Sequence, residues 1–163
     1  MDQYLAEAIV EEAAKKAGLL WLNPLDRPDD PHPVWQLWIG SAPHLVCDGP
    51  EQPLPDLGEL VQVTARAKDG NRLASWVARP VQIRPDSQEW PEVTAALAAK
   101  RLNAPADQSR RWATECRVLR LEATGQLLEH PGDRAVGSLA RAVRPAAAAT
   151  RSWQPFRLGR RRR

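Results

Sequence analysis

The chain has 163 residues, 43% hydrophobic and 26% charged, the composition of one globular domain rather than of a disordered chain or a coiled coil. Its formal charge of +3 hides a split: residues 141–163 hold eight arginines and no acid, while residues 1–140 hold 15 basic against 20 acidic side chains. No apolar stretch is long enough to cross a bilayer, and the first residues lack the apolar region of a secretory signal, so a cytoplasmic protein away from membranes is expected.

Residues 3–17 carry the pattern of an amphipathic helix. Asp2 can cap it, Leu5, Ile9, Ala13 and Ala17 recur every fourth residue, and Gly18 can end it. Glu11–Lys15 and Glu12–Lys16 stand four apart in the favourable order. The apolar run Leu19–Leu22 leads into residues 23–33, where four prolines disfavour both helix and strand pairing and predict an ordered surface loop. Val34–Ile39 predicts a strand with Trp35, Leu37 and Ile39 on one face, and His44–Cys47 its partner across the turn at 40–43. Glu51–Glu59, with two more prolines, reads as a connector.

From Val61 to Lys68 apolar and polar residues alternate, Asp69-Gly70-Asn71 supplies a turn, and Leu73–Ile83 returns, which is the pattern of a hairpin. Pro80, with no amide hydrogen to give, marks an edge or a bulge. Ser87 can cap a helix running to about Leu102, with Trp90, Val93 and Leu97 as its buried stripe. Asp107–Glu115 reads as a second short helix presenting Trp112. Arg117–Leu121 is a last strand before Gly125 turns the chain into Gln126–Leu128. Beyond His130 the periodicity fades, and residues 141–163 predict a disordered basic tail able to bind polyanions weakly, beside a single folded domain over 1–140. The expected class is mainly β with flanking helices: a small antiparallel barrel or sheet rather than a doubly wound fold.

A phosphate-cradling glycine loop, Cys-x-x-Cys, His-Glu-x-x-His and Gly-x-Ser-x-Gly are all missing, so no catalytic residue and no metal ligand set is assigned. His32, His44 and His130 stand in unrelated segments, and Cys47 and Cys116 read as separate thiols. What the sequence offers instead is basic side chains: residues 66–120 hold 11 against 6 acidic ones. Arg66 and Lys68 share a strand face about 7 Å apart. They form either a clamp for a phosphate or a solvated face near a turn. Arg79 and Arg84 follow on the return strand. Trp35, Trp38, Trp76 and Trp90 offer more aromatic area than a small core hides, which predicts a homodimer interface.

Taken in order, Pro33–Gly40, His44–Gly49, Val61–Lys68 and Leu73–Arg84 resemble the strand order of the flavin-binding split β-barrel superfamily. This is the superfamily of pyridoxamine 5'-phosphate oxidase and of relatives that use the deazaflavin F420. More narrowly, Val63–Asp69, Glu89-Trp90, Arg101–Ala104 and Arg111–Ala113 resemble a group of actinobacterial proteins assigned to it. The resemblance covers about residues 1–122 and rests on order and pattern. It implies a homodimeric oxidoreductase that holds FMN or F420, by its phosphate, at the subunit interface. Carried onto this chain, the phosphate-binding role falls on Thr64, Arg66 and Lys68, with Arg79 as a further candidate. A non-catalytic split-barrel dimer that binds a small ligand or a protein partner, with no cofactor, is the alternative.

Overall fold

The computed structural model describes residues 3–101 and 105–130. The basic stretch 141–163, with Trp153 and Phe156, lies outside the described residues, as do Asp2 and Leu102–Ala104. In chain order the elements are α1 (Gln3–Lys16), β1 (Leu19–Pro24), β2 (His32–Trp35), β3 (Leu37–Ile39), β4 (Ala42–Cys47), β5 (Val61–Arg66), β6 (Arg72–Ile83), α2 (Trp90–Ala99), α3 (Gln108–Glu115) and β7 (Arg117–Glu129). The seven strands form one antiparallel sheet in the order β2-β1-β5-β6-β7-β4-β3. Its two edge strands, β2 and β3, are joined by Gln36 alone. A sheet whose opposite edges meet at one residue has to curl, and the result is the small antiparallel barrel that the strand pattern predicts.

Alternation along the strands sorts the apolar side chains into two cores. Leu20 and Leu22 of β1, Val61, Val63 and Ala65 of β5, and Ala74, Trp76 and Ala78 of β6 face the barrel interior with Leu45 and Leu121. Val10, Ala13, Ala14 and Ala17 of the first helical segment join that core. On the outer face, Val46, Ile83 and Val118 meet Trp90, Val93 and Leu97 of α2 and Trp112 of α3. Trp76, Trp90 and Trp112 are thus buried within one chain. Among the described residues no helix is long and apolar enough to cross a membrane.

Several elements differ from expectation for identifiable reasons. The buried face of α1 is Ala6, Val10, Ala13 and Ala14, while Leu5 is exposed, because small side chains let the helix lie close on the sheet. The loop expected over residues 23–33 is shorter: Asn23 and Pro24 continue the strand begun at Leu19, and His32 and Pro33 open β2, since Leu19–Leu22 pair on both sides and draw their flanks into the sheet. Val34–Ile39 is broken at Gln36 into two strands, and Gln36 donates from Nε2 to Ala14 O at 2.8 Å. The helix expected from Ser87 starts at Trp90 with Pro91 in its first turn, where a missing amide hydrogen costs nothing. Gly125 (φ 85°) does not reverse the chain but sits in a bulge of β7, whose register against β6 slips between Ala123 and Leu127. Pro80 lies beyond Ala78, where β5 stops pairing, so β6 has a neighbour on one side only there.

The connector after β4 holds the barrel shut. The Gln52 amide accepts from Trp35 N (2.8 Å) and donates to Trp35 O (3.1 Å) and Val46 O (2.9 Å), bridging β2 to β4 as a strand backbone would. Its neighbour Glu51, whose side chain is 3% exposed, pairs with Arg101 and accepts from Trp112 Nε1 at 2.9 Å, which ties in the helical pair. Gly49 (φ 55°) makes the approach possible, since a Cβ there would stand 2.9 Å from Glu115 O. Replacing Gln52 by Ala strips partners from Trp35 and Val46. It is expected to lower unfolding stability by about 2–4 kcal/mol, against less than about 0.5 kcal/mol for Ala at the exposed Gln88. Urea denaturation of the two variants measures the difference, and equal midpoints would contradict the bridging role.

Candidate functional site

The residues singled out by sequence do not gather at one place. Thr64 is buried on β5, and its Oγ1 lies 2.8 Å from Ser75 Oγ across the ladder. Arg66 ends the strand and donates from Nη1 to Gly70 O at 3.0 Å. Because β5 stops there, Lys68 belongs to the turn and is exposed; it does not share a strand face with Arg66. Arg79 is exposed on β6 opposite Glu122 of β7, about 23 Å along the strand from the hairpin turn by strand rise.

The hairpin supplies a different partner for Arg66. The register shift after Ala65 sets Arg72 directly opposite it. Arg72 is ion-paired through Nη1 with Glu129, yet its Nε is buried without a hydrogen-bond partner. Burial, and the Arg66 charge after it, push the Arg72 pKa down, the signature of two cations crowded together. Sequence reading missed Arg72. Counting the pairs back from Asp69-Gly70-Asn71 sets residue 72 beside residue 68; only the register shift after Ala65 brings it opposite Arg66.

A sizeable cavity lies elsewhere. A cleft of about 720 Å³ opens between α1, the β3–β4 turn, the start of α2 and β7, and no residue of β5 or β6 lines it. Five glutamates line it, Glu7, Glu11, Glu89, Glu92 and Glu122, against one guanidinium, that of Arg120. Arg120 is held between Glu89 and Glu122, with Nη2 2.8 Å from Glu122 Oε1. His44, on the same wall opposite Arg120 in the ladder, is only 3% exposed. Its Nδ1 lies 2.9 Å from Ala42 O. A carbonyl only accepts, so Nδ1 carries the hydrogen and Nε2 is an acceptor.

Neither cysteine is an activated nucleophile. Burial pushes the Cys47 thiol up to about 12 and raises that of Cys116 as well, away from the thiolate that reactivity requires. Cys47 belongs to the barrel core and Cys116 packs against the outer one, and both are free. No group of metal-ligating side chains is assembled among the described residues. Tested against a phosphate-bearing cofactor, the two places give opposite answers. The cleft repels a phosphate, whereas the unpartnered donor of Arg72 beside Arg66 suits one.

No family model matches the sequence, and no curated protein is similar to it. Among solved structures, HutZ, the heme storage protein from Vibrio cholerae, is similar with a TM-score of 0.52 and 11% identity, over 76% of this chain and 93% of that one. An F420 reductase gives a TM-score of 0.41 and 13% identity, over 70% of this chain and 92% of that one.

Burial lowers the His44 pKa below its ordinary 6.5; the Ala42 carbonyl opposes this, Arg120 adds to it, and Glu89 counters weakly. As pH falls below 6.5, the unfolded chain takes up a proton that the native ring refuses, so stability drops towards the lowered folded value. The His44→Gln variant lacks this loss. Urea unfolding at about pH 7.5 and about pH 5.5 is expected to show a larger fall for the wild type than for the variant; equal falls would contradict a neutral buried imidazole.

Proposed function

We propose that this chain, which has the split β-barrel fold of the flavin- and F420-binding superfamily, binds FMN or F420 through the cofactor's phosphate at the end of the β5–β6 hairpin. The supporting observation is the buried, unpartnered Nε of Arg72 directly across the ladder from Arg66. An N–H donor left unmatched inside a protein is costly, and a phosphate oxygen is the acceptor a pair of guanidiniums fits best. Arg66 and Arg72 hold the phosphate, Lys68 adds charge from the turn, and Thr64 with Ser75 forms a hydroxyl pair on the strands behind them. When bound, the isoalloxazine-type ring supplies hydride chemistry, which accounts for a chain that brings no triad or metal cluster of its own. The chain's part is binding and orientation, in a homodimer with the cofactor at the subunit interface.

The cleft favours a second reading, that of a non-catalytic barrel dimer that binds a small ligand. Its five glutamates make it unsuited to the anionic cofactor, and its volume of about 720 Å³ accommodates a small molecule.

Tryptophan fluorescence titration with FMN and F420 separates the two. Arg66→Ala is expected to weaken cofactor binding about 10- to 150-fold, the loss of one charge-assisted contact. Ala at Arg84, an exposed residue paired with Asp86, is expected to leave it unchanged. Equal affinities for the Arg66 variant and the wild type would remove the hairpin from the site, and no binding by the wild type would favour the non-catalytic barrel. Sedimentation of the same samples tests the dimer, which a monomer at micromolar concentration would contradict.

A further inference from the structure

We propose that the glutamate-lined cleft beside α1 is a second binding site, one that takes a small organic cation with N–H donors, an alkylamine or diamine. A volume of about 720 Å³ accommodates such a molecule with room to spare. Its polar lining is almost entirely hydrogen-bond accepting. Arg120, the one guanidinium, is already held by Glu89 and Glu122, and Glu11 pairs with Lys15, so Glu7 and Glu92 are left to give the rim its excess negative charge.

The buried wall repeats the demand from an independent direction. His44 is 3% exposed, and its Nδ1–H is given to Ala42 O at 2.9 Å. The remaining ring nitrogen, Nε2, is a neutral acceptor on a residue that lines the cleft, and among the described residues no donor meets it. A phosphate or carboxylate has nothing to offer such a group, whereas an ammonium carries three donors. The wall also holds a cation already: Lys15 Nζ lies over the Trp38 ring, 5.9 Å from its centroid, and Trp38 lines the same cleft. With Lys15 taking that ring and Glu11, the neutral imidazole acceptor and the remaining excess of carboxylates form the receptor for an amine.

Isothermal titration of the full chain with putrescine at low ionic strength tests this. The expected result is saturable binding of putrescine, none of its neutral analogue 1,4-butanediol, and weakening by added salt. The double variant Glu11→Gln/Glu92→Gln changes two surface carboxylates away from both cores and is expected to bind putrescine about fivefold more weakly or worse. The Arg66→Ala variant is expected to bind putrescine as the wild type does, so failure of the FMN reading leaves this result untouched. Putrescine binding no tighter than butanediol, undiminished binding by the double variant, or loss of binding in Arg66→Ala would each overturn the assignment.

Discussion

The edge strands β2 and β3 are separated by one residue and do not pair with each other, so the seam of the barrel is held by a side chain, the Gln52 amide. It satisfies both backbone groups of Trp35 and one of Val46, a substitute for the ladder that the kink at Gln36 interrupts. Everything near the cleft depends on this seam. β3 and β4 carry Trp38 and His44, and their position against β7 follows from where β2 is fastened. Glu51 extends the same constraint to the helical pair through Arg101 and Trp112. Arg117 adds a third tie by reaching from β7 to Asp48 and to Leu54 O at 2.8 Å. The Asp48 carboxyl is held below its ordinary pKa mainly by that arginine.

With the barrel closed, its charges fall into separate places. The acidic first part of the chain supplies α1 and, with it, Glu7 and Glu11 of the cleft; the basic middle part supplies Arg66, Lys68 and Arg72 at the hairpin. In the proposed reading, such separation lets one small barrel take an anion at its hairpin end and an amine in its cleft. It also explains why the chain's net charge says little about what it binds.

Much of this was legible in the sequence. The β5–β6 hairpin announced itself through alternation and a turn dipeptide, and the Glu11–Lys15 and Glu12–Lys16 pairs form as their spacing requires. What failed did so where tertiary structure overrides local preference. Prolines argued against strand pairing over residues 23–33, yet β1 runs on to Pro24 and β2 begins at His32, because the sheet around Leu19–Leu22 supplies partners on both sides. Glu51 and Gln52 lay in a proline-rich connector with no periodicity, so nothing local revealed that two polar side chains there would be the fastening of the barrel. The candidate sites divide likewise. Arg66 was readable as a strand-end cation, but Arg72 required the register shift, and the cleft required α1, β4, α2 and β7, distant in sequence, to be set side by side.

The central claim, one barrel with two chemically opposite binding places, is tested most directly by amide shift mapping of a single isotopically labelled sample titrated first with FMN and then with putrescine. The expected outcome is two disjoint sets of perturbed amides. FMN moves residues around Arg66 and Arg72, and putrescine moves those around Trp38, His44 and Glu92. Perturbation of the cleft by FMN, or one common set for both ligands, would contradict it.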